Sequence, residues 1–233
     1  MNNFEQQPRR VVNDVSGLNG FLTRMYGWMA LAVLVSALSA FYVLTQPSLQ
    51  QVFLGGSRLL PLIVWFVIPI VINFQAIKRP TLSFILLMAY AALTGGIFSM
   101  YAMIYSGATI TSAFVSSASV FVVMALFGTF TKRDLTGVGN QAIAALIALV
   151  IAMLINLFLQ SQLIAYVFSF IGIIIFTALT ASDSQKMKTL YNQSGGQVSV
   201  TGLAVIGAMQ LYLDFVNLFV FFLQIFGGFG NRD

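Results

Sequence analysis

The chain has 233 residues, 59% of them hydrophobic and only 7% charged, where a soluble domain carries ~25%. A water-soluble globule and a polar disordered chain are both excluded, and at ~20 residues per spanning helix no length remains for a sizeable soluble domain. Cysteine and histidine are absent, which removes disulfides, zinc clusters, a Ser-His-Asp triad and a histidine pH sensor.

Residues 1–20 read as a short polar cytosolic tail holding Glu5, Arg9, Arg10 and Asp14. They are not a signal peptide, because the apolar run that follows is too long. Spans are expected at 21–45, 59–77, 82–105, 111–131, 138–159, 163–181 and 201–226. Lipid admits only helices or closed barrels, and these continuous runs lack a barrel's alternation. The fold class is therefore an all-α membrane protein with seven transmembrane helices over 21–226, followed by a short extracytoplasmic tail, 227–233. Pro69 is expected to kink the second span.

Seven spans place the termini on opposite sides. With the N-terminus in the cytosol, that side collects Arg9, Arg10, Arg24, Lys78, Arg79, Lys132, Arg133, Lys186 and Lys188. The other side holds Arg58 and Arg232. Such a bias is the positive-inside pattern, so the basic residues report orientation and not nucleic-acid binding.

Among the six acidic residues, Asp214 lies inside the last span and Asp183 at the cytosolic end of the sixth. A carboxylate in hydrocarbon costs at least ~2.5 kcal/mol, so Asp214 must face protein, water or a partner. Gln210, Asp214, Asn217, Phe221 and Gln224 fall at i, i+4, i+7, i+11 and i+14, one narrow and mostly polar line with apolar flanks. A helix with such a line belongs at the centre of the bundle. The line either makes interhelical hydrogen bonds or lines an ion or proton path. The midpoint between Asp183 and Asp214 falls at 198 to 199, close to the turn signal at 192–197. In an antiparallel hairpin the two carboxyls then meet at similar depth, provided the sixth span stays helical through Lys186 and Lys188. Carboxyls that meet share a proton and titrate as one unit. The alternative is that Asp183 caps a helix end.

Ser112, Ser116 and Ser119 share one face and read as a close-packing stripe. Thr94-Gly95-Gly96 reads as a point of close approach. Asn156 and Gln160 are candidates for packing or polar lining.

Three segments carry a resemblance. They are Leu211-Tyr212-Leu213-Asp214-Phe215-Val216-Asn217-Leu218-Phe219 with Gln224-Ile225-Phe226-Gly227, Ala181-Ser182-Asp183-Ser184-Gln185-Lys186-Met187-Lys188, and Thr131-Lys132-Arg133-Asp134-Leu135-Thr136-Gly137-Val138-Gly139. Together they resemble the Bax inhibitor-1 (transmembrane Bax inhibitor motif) family in its bacterial form, over nearly the whole chain. The resemblance implies a seven-helix fold with the last helix central, a paired-aspartate pH sensor at Asp183 and Asp214, and a pH-sensitive Ca²⁺ leak in the bacterial inner membrane. It also implies a basic latch on the aspartates from the cytosolic end of the second span, where Lys78 and Arg79 stand. Two departures are visible: Ser182 replaces the usual tyrosine, and the second span has no acid around Phe66.

The leading functional expectation is a proton-gated cation leak in which Asp183, Asp214, Asn217 and nearby carbonyls hold Ca²⁺ weakly, with no resident cofactor and no enzymatic activity. Its partners are the lipid bilayer, Ca²⁺ and H⁺. A second reading is a non-conducting regulator that binds membrane partners such as a protease complex. A third is an intramembrane aspartyl protease, disfavoured because neither aspartate follows Gly-x-Gly.

Overall fold

The computed structural model describes residues 15–55, 59–194 and 197–230. Most of the expected tail, Arg58, the glycines of the 192–197 turn signal and residues 231–233 lie outside them. The described residues form helices α1 (Val15–Thr45), α2 (Pro47–Leu54), α3 (Leu59–Gln75), α4 (Pro80–Ile104), α5 (Gly107–Phe130), α6 (Thr136–Leu159), α7 (Gln162–Ser194) and α8 (Val200–Gly230). The described residues include no strand. Six of these helices, α1 and α4 to α8, are long and apolar enough to cross a membrane; α3, with 17 residues, is shorter. Six of the seven expected spans are therefore long helices, and the second, 59–77, corresponds to the shorter α3.

Local chemistry sets the boundaries. Pro47 and Pro80 begin α2 and α4, where the missing N–H costs nothing. Ser106 caps α5 by accepting from the Thr109 amide at 3.2 Å. At the α6–α7 turn Gln160 adopts a left-handed φ of 52°, and Asn156 spends both ends of its amide on Ser161. Asn156 thus shapes the turn, and with Gln160 it also lines a cavity beside Gln224. Pro69 lies inside a helix that runs on through it.

Three expectations shift. Helix α1 begins at Val15, inside the stretch read as tail, and α8 continues through Gly227 to Gly230. Helix α7 runs thirteen residues past the expected end at Ala181. It persists because Thr180, Ser184 and Met187 stay buried on one face and Tyr191 stacks on Phe21 at 4.9 Å. The serine stripe is displaced. The buried face of α5 is Ala113, Ser117, Phe121, Ala125 and Gly128, while Ser112 and Ser119 are exposed and Ser119 bonds back to the Val115 carbonyl.

Helix α8 is the centre. It packs against α1, α3, α4, α5 and α7, and 67% of its apolar window is buried, against 11–39% in the other five long helices. Small residues let neighbours close on it and on each other. A Cβ at Gly202 would strike the Ala76 carbonyl, and one at Gly95 would strike that of Ser36. Phe53 of α2 fills the space left by Gly96. Aromatic packing completes the core: Phe215 meets Phe114 and Phe121 edge-on at 5.7 and 5.8 Å.

Candidate functional site

On α8 the polar line divides into two parts. At its far end Gln224 Oε1 accepts from the Ser169 hydroxyl at 2.7 Å, tying α8 to α7. Asn217 Nδ2 donates back to the Leu213 carbonyl at 2.8 Å. Phe221 packs on Phe176 with ring centres 5.9 Å apart, in space left by Gly172. Phe221 is thus a packing residue, whereas Asn217 and Gln224 stay half-buried and Gln224 also lines a cavity with Asn156 and Gln160. One turn apart at the near end, Gln210 Oε1 and Asp214 Oδ2 are buried and find no hydrogen-bond partner among the described residues. Asp214 is 4% exposed. Leaving a buried acceptor unmatched costs ~1–3 kcal/mol, so these two oxygens mark where α8 departs from a purely structural design.

Asp183 is the charged neighbour of Asp214. It is half-buried on α7, with Lys186 as its own charged neighbour. Helix α7 is held here on two sides. A Cβ at Gly128 of α5 would strike the Ala181 carbonyl, and one at Gly139 of α6 would strike the Ser182 hydroxyl. One turn on, Gln185 clamps the α5–α6 turn: its Oε1 accepts from the Leu135 amide and its Nε2 donates to the Arg133 carbonyl, both at 2.8 Å. Lys188 Nζ donates to the Thr129 carbonyl at 2.7 Å, satisfying the C-terminal end of α5. In the turn itself, Asp134 Oδ1 accepts from the Thr136 amide at 2.9 Å. Hydrogen bonds from the Thr136 side chain and amide hold this carboxyl below its ordinary value.

Between this turn and the far end of α7 lies a polar cleft of about 680 Å³, whose wall includes Asp183. Asp183 therefore stands between the cleft and the enclosed Asp214. Behind Asp214, the Tyr212 hydroxyl lies 2.6 Å from Ser36 Oγ. Tyr90 meets Tyr212 edge-on and stacks on Trp65, and Trp65 Nε1 donates to Thr94 Oγ1 at 2.8 Å. This ladder joins α8 to α1, α4 and α3.

The structure thus brings Asp183, Asp214 and Gln210 to one region, while Asn217 and Gln224 each make a hydrogen bond further along the line. Lys78 and Arg79 are exposed in the α3–α4 turn. That turn rests on α8 at Gly202, twelve residues and so roughly 18 Å along the helix from Asp214. A latch from these residues requires the turn to travel toward the pair. Among the described residues no three acidic or other ligating side chains gather into a metal-binding group. Sequence reasoning gave no role to Gln185, Gly128 or Gly139, although Gln185 and Gly139 stand in the segments that carry the resemblance. The two glycines also carried a physical signal, since small residues in apolar helices mark close approach.

The sequence has known relatives. The pattern of the family described as "Inhibitor of apoptosis-promoting Bax1" matches residues 18–231. The chain is 36% identical to the "Inner membrane protein YbhL" of Escherichia coli K12 over 225 residues, 93% of this chain and 95% of that protein. It is 37% identical to the "Uncharacterized protein YrjE" of Lactococcus lactis over 223 residues, 93% and 94% of the two chains. It is 36% identical to the "Uncharacterized protein RP147" of Rickettsia prowazekii over 221 residues, 93% and 92%.

Proposed function

This multi-pass membrane protein belongs to the Bax inhibitor family, and from that premise we propose that it is a passive, pH-sensitive leak for cations, Ca²⁺ foremost, in the bacterial inner membrane, gated by Asp183 and Asp214. The observation that carries the reading is a fully enclosed carboxyl with an unmatched oxygen on the central helix, whose charged neighbour opens onto a polar cleft. Ionisable groups inside a membrane bundle are expensive and therefore point to function.

The mechanism is a change of charge at the contact between α7 and α8. Two adjacent carboxyls share a proton. Gaining or losing it alters the repulsion between them, and movement of α7 against α8 opens or closes the path. A hard cation takes several oxygens; Asp183, Asp214 and Gln210 Oε1 supply a loose set suited to passage and not to storage. Helix α3 is the seventh crossing in this reading, with the N-terminus cytosolic and the C-terminus outside. The chain is not an enzyme in this account.

Ca²⁺ flux in proteoliposomes, followed from mildly acidic to mildly alkaline pH, is the test. Asp214→Asn is expected to abolish the pH dependence, and Asp183→Asn to weaken it. Flux and pH dependence both unchanged in Asp214→Asn would sink the reading, and a folded protein with no flux at any pH would favour the non-conducting regulator.

A further inference from the structure

We propose that the polar cleft between the α5–α6 turn and the far end of α7 is a binding site for the phosphate headgroup of an anionic phospholipid. The inference rests on the chain lying in a membrane and not on its conducting ions.

Lys132, Arg133, Lys186 and Lys188 line the cleft against two acids, Asp134 and Asp183. The four cations outnumber the two acids. Asp134 accepts from the first amide of α6. Asp183 has Asp214 and Lys186 as its charged neighbours, and Lys188 donates to the Thr129 carbonyl. Lys132 and Arg133 remain as exposed cations on the cleft wall, an excess suited to an anion.

The turn that carries both is preorganised. Gln185 fixes it at the Arg133 carbonyl and the Leu135 amide, and the Arg133 amide donates to Thr131 Oγ1 at 3.2 Å. Held in this way, the backbone needs little reordering for the guanidinium to take two phosphate oxygens at once. The amides of Asn140, Asn192 and Gln193 also line the cleft and add neutral donors.

Two further features select a lipid over free phosphate. Helix α5 ends and α6 begins at the cleft, so it sits at one end of the bundle, at headgroup height. Ile143 forms part of its wall and is 45% exposed, and Ile147 and Val150 continue the same face of α6 as exposed apolar residues. A headgroup seated in the cleft would lay its acyl chains along this track. Basic pockets at helix ends are suited to anionic headgroups.

The experiment is native mass spectrometry of the full chain in a neutral detergent, titrated with dioleoylphosphatidylglycerol, dioleoylphosphatidylcholine or inorganic phosphate. Phosphatidylglycerol is expected to bind in preference to phosphatidylcholine and to resist competition by inorganic phosphate. Replacing Lys132→Ala and Arg133→Ala together should weaken that binding roughly five- to thirtyfold. Lys186→Gln, on a different element, is a second probe that should weaken it in the same direction. The control is Lys78→Ala with Arg79→Ala, an exposed basic pair outside the cleft lining, which should leave binding unchanged. Equal losses in the two double variants mean diffuse attraction and overturn the proposal. So do equal binding of both lipids and displacement by inorganic phosphate.

Discussion

Two glycines on opposite sides of α7 illustrate how a missing methyl group holds a carboxyl in place. Gly128 faces the Ala181 carbonyl and Gly139 faces the Ser182 hydroxyl, the two residues just before Asp183. Alanine in place of glycine gains about 1 kcal/mol of helix propensity, but overpacking costs ~1–3 kcal/mol. The balance depends on what can yield. A backbone carbonyl cannot, so Gly128→Ala should destabilise by about 1–2 kcal/mol, seen as a lowered melting midpoint in detergent. A serine hydroxyl can rotate or be removed, so Gly139→Ala should cost less, and adding Ser182→Ala should recover part of the loss. Equal costs for the two glycine variants would show that the closeness to α7 is misplaced. At this scale the sequence was most legible where chemistry conflicts with surroundings: Asp214 stands out because a charge in an apolar run demands an explanation. It was least legible where a polar side chain serves a distant turn, since nothing near Gln185 in the sequence announces the backbone of Arg133 and Leu135.

Helix α8 shows why a polar stripe alone is ambiguous. Its five positions share one face, yet Gln224 bonds Ser169 across to α7, Asn217 bonds its own helix, and Gln210 and Asp214 keep oxygens unmatched. Spacing assigns residues to a face; only the neighbour on that face decides between lining and packing. The Gln224–Ser169 bond should be worth about 0.6 kcal/mol. Ser169→Ala and Gln224→Leu are therefore expected to lower stability modestly and non-additively in a double-mutant cycle, with the pH dependence of any flux retained. Additive losses would mean that the two residues do not act together. Elements were legible in proportion to their hydropathy. Helix α2 was missed because its eight residues include Ser48, Gln50 and Gln51, although Pro47 marked its start. The apolar span stopped at Ala181 because Lys186 and Lys188 resemble a loop, yet the hairpin reading required helix through both, and α7 does continue through them. The buried spacing of Thr180, Ser184, Met187 and Tyr191 was the signal that it continues.

For the molecule as a whole, the number of crossings turns on α3. The absence of cysteine makes this directly measurable, because single cysteines can be placed in an unlabelled background. If α3 crosses, Gln51→Cys and Lys78→Cys should react with membrane-impermeant maleimide from opposite sides of sealed vesicles, with Lys78→Cys on the cytosolic side. Labelling from the same side would reduce the count to six and put the termini together. The lopsided distribution of lysine and arginine argues for seven, whereas length alone leaves α3 short of the six long helices. For an α3 that crosses, that shortness has a physical consequence. Seventeen residues span about 25 Å, whereas the hydrocarbon slab is ~30 Å thick. A helix below that thickness must draw the bilayer inward around itself or sink at one end, each at a fraction of a kcal/mol per Å. Trp65 of this helix is bonded to Thr94 and stacked on Tyr90, so the mismatch bears on the aromatic ladder that leads to Tyr212. Acyl-chain length thereby becomes a mechanical input, pulling on the thinnest stave of the bundle before any other.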